Sequence, residues 1–379
     1  MHIRSIMFVL LMMGCAVLAT GELYLTIPLG ADIARQHHVD ASSSGLAGSF
    51  FGFAYASGFL AFGPLSDRVG RARVLLFGLL AAGAATALAG IAPSFAFFLS
   101  ARALQGASAA AVAVGALALV PEALLPHHRP LGVSAMSLAF LGSAPIAQLV
   151  GARLAGGGIS TVMLVVAPAY VIVAGGILLL NAHPKSHHSR HGSRTNNPSS
   201  ASLFQDRSIV AAWAASATVL FAFVLFQVGM QIAGSDLPVD IQELRYFTFP
   251  PLLLTIAAVP LVKRVGVSMT ARIGLLLIAT GLLVAAIASR MAFISGLVIL
   301  TSGVALAIPG LIGLVSSRAD NHNRGFAIAI YSFALFSGAS LGPLAAQTLM
   351  REGITSLCLL PAFLALLAFV IVQRFAIEN

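Results

Sequence analysis

The chain has 379 residues, 59% hydrophobic and 9% charged, with a net charge of +9 and a mean hydropathy of +0.97. A water-soluble domain carries roughly 25% charged residues, so a soluble globular body is excluded. The 21 Lys and Arg punctuate alternate loops instead of gathering on one stripe, which excludes a nucleic-acid surface.

Taken in chain order, the apolar runs are long enough to cross a bilayer as helices. The first spans about 5–28. It opens like a secretory leader, and Leu11–Cys15, "LMMGC", has the look of a lipoprotein box. Its apolar character continues past Gly21 to Pro28, too far for a leader core, so it is expected to stay as the first crossing. Further runs follow at about 45–62, 73–92, 95–119, 131–152 and 161–180. After residues 181–207, rich in Ser, Asn, Gly and His, come runs at about 208–232, 246–262, 270–289, 291–316, 325–349 and 354–374. The expectation is an all-α membrane protein of twelve transmembrane helices. It divides into a six-helix half at 1–180, a linker at 181–207 and a second six-helix half at 208–379.

Lys and Arg set the orientation. Fifteen of the 21 fall on the side of the two termini and the linker, five on the other side, and Arg102 inside a run. Both termini are therefore expected in the cytoplasm of a multi-pass protein. A repeat supports the two halves. Pro64, Leu65, Arg68, Val69, Gly70 and Gly78 recur 196 positions later as Pro260, Leu261, Arg264, Val265, Gly266 and Gly274.

Gly63–Arg73, "GPLSDRVGRAR", resembles the loop signature between spans two and three of the major facilitator superfamily, Gly-x-Leu-x-Asp-Arg-x-Gly-Arg. "RALQGASAA" from Arg102 is similar to that superfamily's Arg-x-x-Gln-Gly motif, typical of proton-coupled drug antiporters, and Leu23–Ala34 is similar to the end of span one in that group. The resemblance implies the major facilitator fold, with Gly63, Asp67, Arg68, Gly70 and Arg71 forming a latch. Asp67 would meet the positive N-terminal end of span eleven near Gly325 when the site opens outward. In the second copy Lys263 replaces the acid. The span-five antiporter signature survives only as Pro145, with Ala144, Gln148 and Leu149 on its glycine positions, whereas span eleven keeps Gly338, Gly342 and Pro343.

Only Glu22 and Arg102 are ionisable and well inside spans. A charge at mid-bilayer costs at least about 2.5–3.5 kcal/mol, so such residues face water or a partner. From the rise of a helix, Glu22 lies roughly 24 Å and Arg102 about 20 Å above the cytoplasmic side. A shared site is expected, in which a proton and a cationic cargo compete for Glu22 while Arg102 steadies the empty carboxylate. Gln105, Tyr55, Gln148, Gln227, Gln231, Tyr331 and Gln347 are candidates for the substrate cavity or for helix–helix hydrogen bonds. Trp213 reads as a packing or lipid-facing residue.

Other patterns are set aside. Gly338–Gly342, "GASLG", matches a serine-hydrolase elbow, but Ser340 lies in an apolar helix without a histidine. Cys15 and Cys358 fall inside apolar runs, and His183, His187, His188 and His191 in a polar linker read as solvated, as do His37, His38, His127 and His128. No metal, no cofactor and no nucleotide-binding loop are expected. The expected function is proton-coupled efflux of small lipophilic or cationic compounds by a monomer in a bacterial inner membrane. A symporter importing a sugar or other metabolite and a non-transporting sensor on the same fold are the alternatives.

Overall fold

The computed structural model describes residues 3–179, 201–320 and 323–376. Among them every regular element is helical. The long helices are α1 (Ile3–Leu25), α2 (Leu46–Val69), α3 (Arg71–Gly90), α4 (Phe95–Ala123), α5 (Arg129–Leu154), α6 (Gly158–Leu179) and α7 (Arg207–Ala233). A broken segment, α8, follows as Ile241–Phe247, Phe249–Leu252 and Leu254–Val265. The chain closes with α9 (Val267–Ala285), α10 (Arg290–Arg318), α11 (Arg324–Leu349) and α12 (Ile354–Phe375). In hydrocarbon every backbone N–H and C=O must be satisfied within the chain, and a helix does this locally.

Among the described residues, ten uninterrupted stretches are long and apolar enough to cross a membrane. One of them, Leu131–Leu179, holds both α5 and α6, divided where Gly158 turns the backbone at φ +73°. The eighth expected run is the departure: α8 is in pieces because Pro250 and Pro251 remove two consecutive N–H donors and clash with the preceding turn. It still makes the return crossing. Ser208 at the start of α7 donates to the Phe375 carbonyl at 2.6 Å, and Ser268 at the start of α9 donates to the Ala376 carbonyl at 2.6 Å. Both starts therefore lie beside the end of α12, and the chain between them must go out and come back.

The repeat is visible as matched breaks: Gly70 (φ +105°) separates α2 from α3, and Gly266 (φ +84°) separates α8 from α9. Only a residue without Cβ takes such angles freely. Gly63, the first residue of the latch stretch, continues α2, with open space where its Cβ would be. The linker at 181–207 lies largely outside the described residues, as do its four histidines. Its end forms a short helix, Ala201–Gln205, and Asp206 caps α7 by accepting from the Ser208 and Ile209 N–H groups at 2.8 and 3.3 Å.

Packing relies on small residues, because lipid offers no hydrophobic gain for helix–helix contact. α9 and α10 share the most extensive contact: a Cβ on Gly303 would lie 2.6 Å from the Gly274 carbonyl oxygen and the Ile278 nitrogen. Backbone cannot yield as a side chain can. Gly303→Val is expected to lower stability by about 1–3 kcal/mol, read as a fall in thermal unfolding midpoint in detergent, while Gly63→Ala leaves it unchanged.

α1 packs on α4 and α5, α2 and α3 on α4, and α3 on α6. Likewise α7 packs on α10, α11 and α12, and α9 on α10 and α12. The two sets meet chiefly along α2 and α11, with a smaller seam between α5 and α8.

Candidate functional site

Glu22 stands near the end of α1, which stops at Leu25 ahead of Ile27 and Pro28. Arg102 lies two turns into α4, whose start is capped by Ser94 accepting from the Phe97 N–H at 3.3 Å. Both are buried, at 2% and 0% exposed. Each nitrogen of the Arg102 fork is engaged. Nη1 lies 3.4 Å from Glu22 Oε2 and donates to Gln105 Oε1; Nη2 donates to the Glu22 backbone carbonyl at 2.8 Å; Nε donates to the Ala47 carbonyl at 3.2 Å. The guanidinium also sits 4.6 Å above the Phe51 ring. Residue 22 lies in the last turn of α1, where the negative end of the helix favours a cation. Gln105 passes the chain on, its Nε2 donating to Thr86 Oγ1 at 2.7 Å, which donates to the Ala82 carbonyl at 2.7 Å.

Two features decide what this arrangement can do. The carboxylate contact, at 3.4 Å, is longer than the 2.7–2.9 Å typical of a charged pair, while three neutral oxygens hold Arg102 independently of the Glu22 charge. Neutralising Glu22 therefore does not strand the arginine. In addition, Glu22 Oε1 is buried and makes no hydrogen bond among the described residues. An unpaired buried acceptor is costly, and a proton or a cationic group placed there would relieve it.

A second cluster lies beside the first. Thr20 and the Tyr55 hydroxyl share a hydrogen bond of 2.8 Å. The Tyr55 ring packs against Phe51, Phe59 and Phe336, with centroids at 5.6, 5.1 and 4.6 Å, joining α1 and α2 to α11. Ser49 Oγ donates to the Ser340 carbonyl at 2.7 Å, and positions 45 and 48 meet Pro343. At the other end of the same two helices the contact is gone. Gly63 and Gly325 have open space beside them, and Leu65 and Phe326 are exposed. The bundle is sealed at the end bearing residue 45 and parted at the end bearing both termini. The α5–α8 seam agrees, with Arg153 donating to the Tyr246 hydroxyl at 3.4 Å at the sealed end. A Cβ on Gly52 would meet Ser340 Cβ at 3.0 Å and Leu23 Cδ1 at 3.3 Å. Gly52→Leu is thus expected to pry the seal apart. It should raise the labelling rate of an engineered Ser49→Cys with a membrane-impermeant thiol reagent about tenfold, the effect of roughly 1.4 kcal/mol on the equilibrium.

The remaining candidates divide. Tyr331 donates to the Ile308 carbonyl at 3.1 Å, and Gln231 accepts from Arg245 Nη2 at 2.6 Å, so both are committed within the protein, as are Gln105 and Tyr55. Gln227 and Gln148 are buried and Gln347 half-buried. Gln227 Nε2 has no partner. In the latch stretch, Asp67 is 65% exposed and accepts from Arg71 Nη2 at 3.1 Å, while Arg71 also pairs with Glu122. Arg68 is exposed and Gly70 supplies the break. In this conformation, among the described residues, Asp67 makes no hydrogen bond or ion pair with the start of α11. His37 departs from the solvated reading: it is half-buried beside the Phe95 and Phe98 rings at 5.9 and 4.9 Å. Trp213 packs, its Nε1 donating to the Ala327 carbonyl at 3.0 Å. Sequence reasoning missed Thr86, Thr20, Glu122 and the two backbone carbonyls. Thr86 alone left a trace, as a lone hydroxyl in an apolar helix.

A helical membrane bundle sealed at one end, parted at the other and holding a buried polar core is the build of a secondary transporter. Residues 11–246 match the family model of the Major Facilitator Superfamily, and the chain belongs to that family. The uncharacterized MFS-type transporter YceJ of Bacillus subtilis (strain 168) is 25% identical over 335 residues, covering 85% of this chain and 83% of YceJ. In fold the chain is similar to the human organic anion transporter MFSD10 (TETRAN), with a TM-score of 0.72 at 18% identity over 97% of this chain and 99% of the other.

Proposed function

We propose that the protein is a proton-coupled antiporter exporting small lipophilic or cationic compounds from a bacterial cell. Its two halves, residues 1–180 and 208–379, rock about the α2–α11 and α5–α8 seams to expose the site to each side in turn. The single observation that carries the reading is the state of Glu22: one oxygen 3.4 Å from an arginine that three other acceptors also hold, the other oxygen buried and unpartnered. Such a carboxylate accepts a proton without dismantling its surroundings. The cycle follows. A proton arriving from outside neutralises Glu22, the halves rock, and the proton leaves to the cytoplasm as cargo takes its place. Asp67 then latches against α11 while the site faces outward, and the pairing with Arg71 is its resting place when the cytoplasmic end is open.

Both termini and the linker are placed in the cytoplasm by the loop arginines, the bundle acts as a monomer in the inner membrane, and Gln148, Gln227 and Gln347 contribute to the cargo cavity. MFSD10 is described by its cargo, organic anions, and at 18% identity its likeness brings the fold without the cargo. Transport into inside-out membrane vesicles tests the reading. Energised vesicles should accumulate a cationic dye such as rhodamine 123, and an uncoupler should release it. Accumulation only in right-side-out vesicles would mark a symporter, and no flux in either would mark a sensor.

A further inference from the structure

The last six helices hold a second buried charge that the proton reading leaves unused. Arg245, in the first piece of α8, is 4% exposed and makes no ion pair among the described residues. The acids around it are engaged or turned outward. Asp240 caps the helix by accepting from the Gln242 N–H at 2.8 Å, Glu243 is held by Arg290 at 2.9 and 3.0 Å, and Asp236 is exposed. Among the described residues the Arg245 side chain makes one hydrogen bond, to Gln231 Oε1 at 2.6 Å, and its Nε is buried without a partner. One helical turn deeper on α7, on the same face as Gln231, stands Gln227, 8% exposed with Nε2 also unpartnered. Both open positions are donors, and one belongs to a permanent cation. The group that completes such a set is an acceptor with negative charge, and a guanidinium fork matches a carboxylate.

Placement ties the cluster to the transport path. Gln227 is one turn beyond Phe223, whose ring meets Tyr24, two residues after Glu22, at 6.2 Å between centroids. Next to Arg245, Tyr246 receives the hydrogen bond from Arg153 that closes the α5–α8 seam. The cluster therefore lies beside a seam that the proposed rocking opens.

We propose that Arg245, held in place by Gln231, and Gln227 form a subsite for the carboxylate of an amphoteric cargo, whose cationic part is handled at Glu22. This rests on the antiporter reading and narrows its substrate class from lipophilic cations to compounds that also bear a carboxylate.

Rhodamine 110 and rhodamine 123 share one cationic ring system and differ in a free carboxylate against its methyl ester, so they isolate the subsite. Binding to the purified full chain in lipid nanodiscs is read by fluorescence anisotropy. Rhodamine 110 is expected to bind about tenfold more tightly, the worth of one charge-assisted hydrogen bond. Arg245→Gln should erase that advantage, Arg245→Lys should keep part of it, and neither should move rhodamine 123 affinity. Gln227→Leu is the control for folding: it removes an unpartnered group, so the unfolding midpoint holds while the rhodamine 110 preference falls. Equal affinities for the two dyes in the wild type, no saturable binding of rhodamine 110, or a parallel loss of both dyes in the variants would overturn the subsite. If Glu22→Gln leaves proton-driven transport intact while the preference persists, the coupling reading fails and the subsite stands.

Discussion

Glu22→Gln is expected to bring proton-driven dye accumulation in inside-out vesicles down to passive leak, while exchange of external for internal dye without a proton gradient continues. The glutamine mimics the protonated side chain in shape and hydrogen bonding and cannot release a proton, so the step that joins proton and cargo is lost but the rocking of the halves is not. The fold should suffer little. Arg102 keeps the Glu22 carbonyl at 2.8 Å, the Ala47 carbonyl at 3.2 Å and Gln105 Oε1. Only the 3.4 Å contact changes character, at a cost of about 1.5 kcal/mol for a single hydrogen bond to a charged group. Proton-driven accumulation at wild-type levels would remove Glu22 from the coupling step, and equal loss of exchange would assign it a structural role.

Arg102→Met carries the larger structural effect. It leaves a buried carboxylate with neither oxygen paired and takes the donor away from the Glu22 and Ala47 carbonyls and from Gln105. Removing one member of a buried pair costs about 3–5 kcal/mol, so a strong fall in unfolding midpoint and in yield from the membrane is expected. Adding Glu22→Gln to Arg102→Met should recover part of the loss, because no uncompensated charge then remains at this site. A double variant no more stable than Arg102→Met would show that the pair is weakly coupled and that the carbonyl contacts alone account for the arginine.

The sequence exposed this pair for a definite reason. Two ionisable residues inside long apolar runs stand out against a composition of 9% charge, and the fixed rise of a helix brings Glu22 and Arg102 to nearly equal depths. Their partners were hidden for an equally definite reason. Main-chain carbonyls have no residue identity, so the Glu22 and Ala47 oxygens leave no mark in a sequence. Glu122 was missed because α4 runs to Ala123, four residues beyond the expected end of its span at 119. The fracture of α8 escaped because a hydropathy window averages Pro250 and Pro251 with their apolar neighbours and takes no account of their missing N–H donors.

Polarity could be seen at Gln227, Gln231 and Tyr331, but not what each would touch. Gln231 is engaged by Arg245 while Gln227, one turn away, is left open. Nor could a sequence show that Tyr55 meets Phe336 or that Ser49 reaches Ser340, 291 positions later.

By itself, then, the sequence determined the class of environment, the run of crossing helices, the matched glycine breaks at Gly70 and Gly266, and the two charges that must find company. These follow from apolarity and from backbone hydrogen bonds that a helix closes within four residues. Tertiary structure alone decided which oxygens hold Arg102, why Glu22 Oε1 is left open, that Arg245 has donors to spare, and which end of the bundle is shut. Those outcomes depend on close contacts between helices distant in the chain, where a fraction of an ångström separates a hydrogen bond from an unpaired atom.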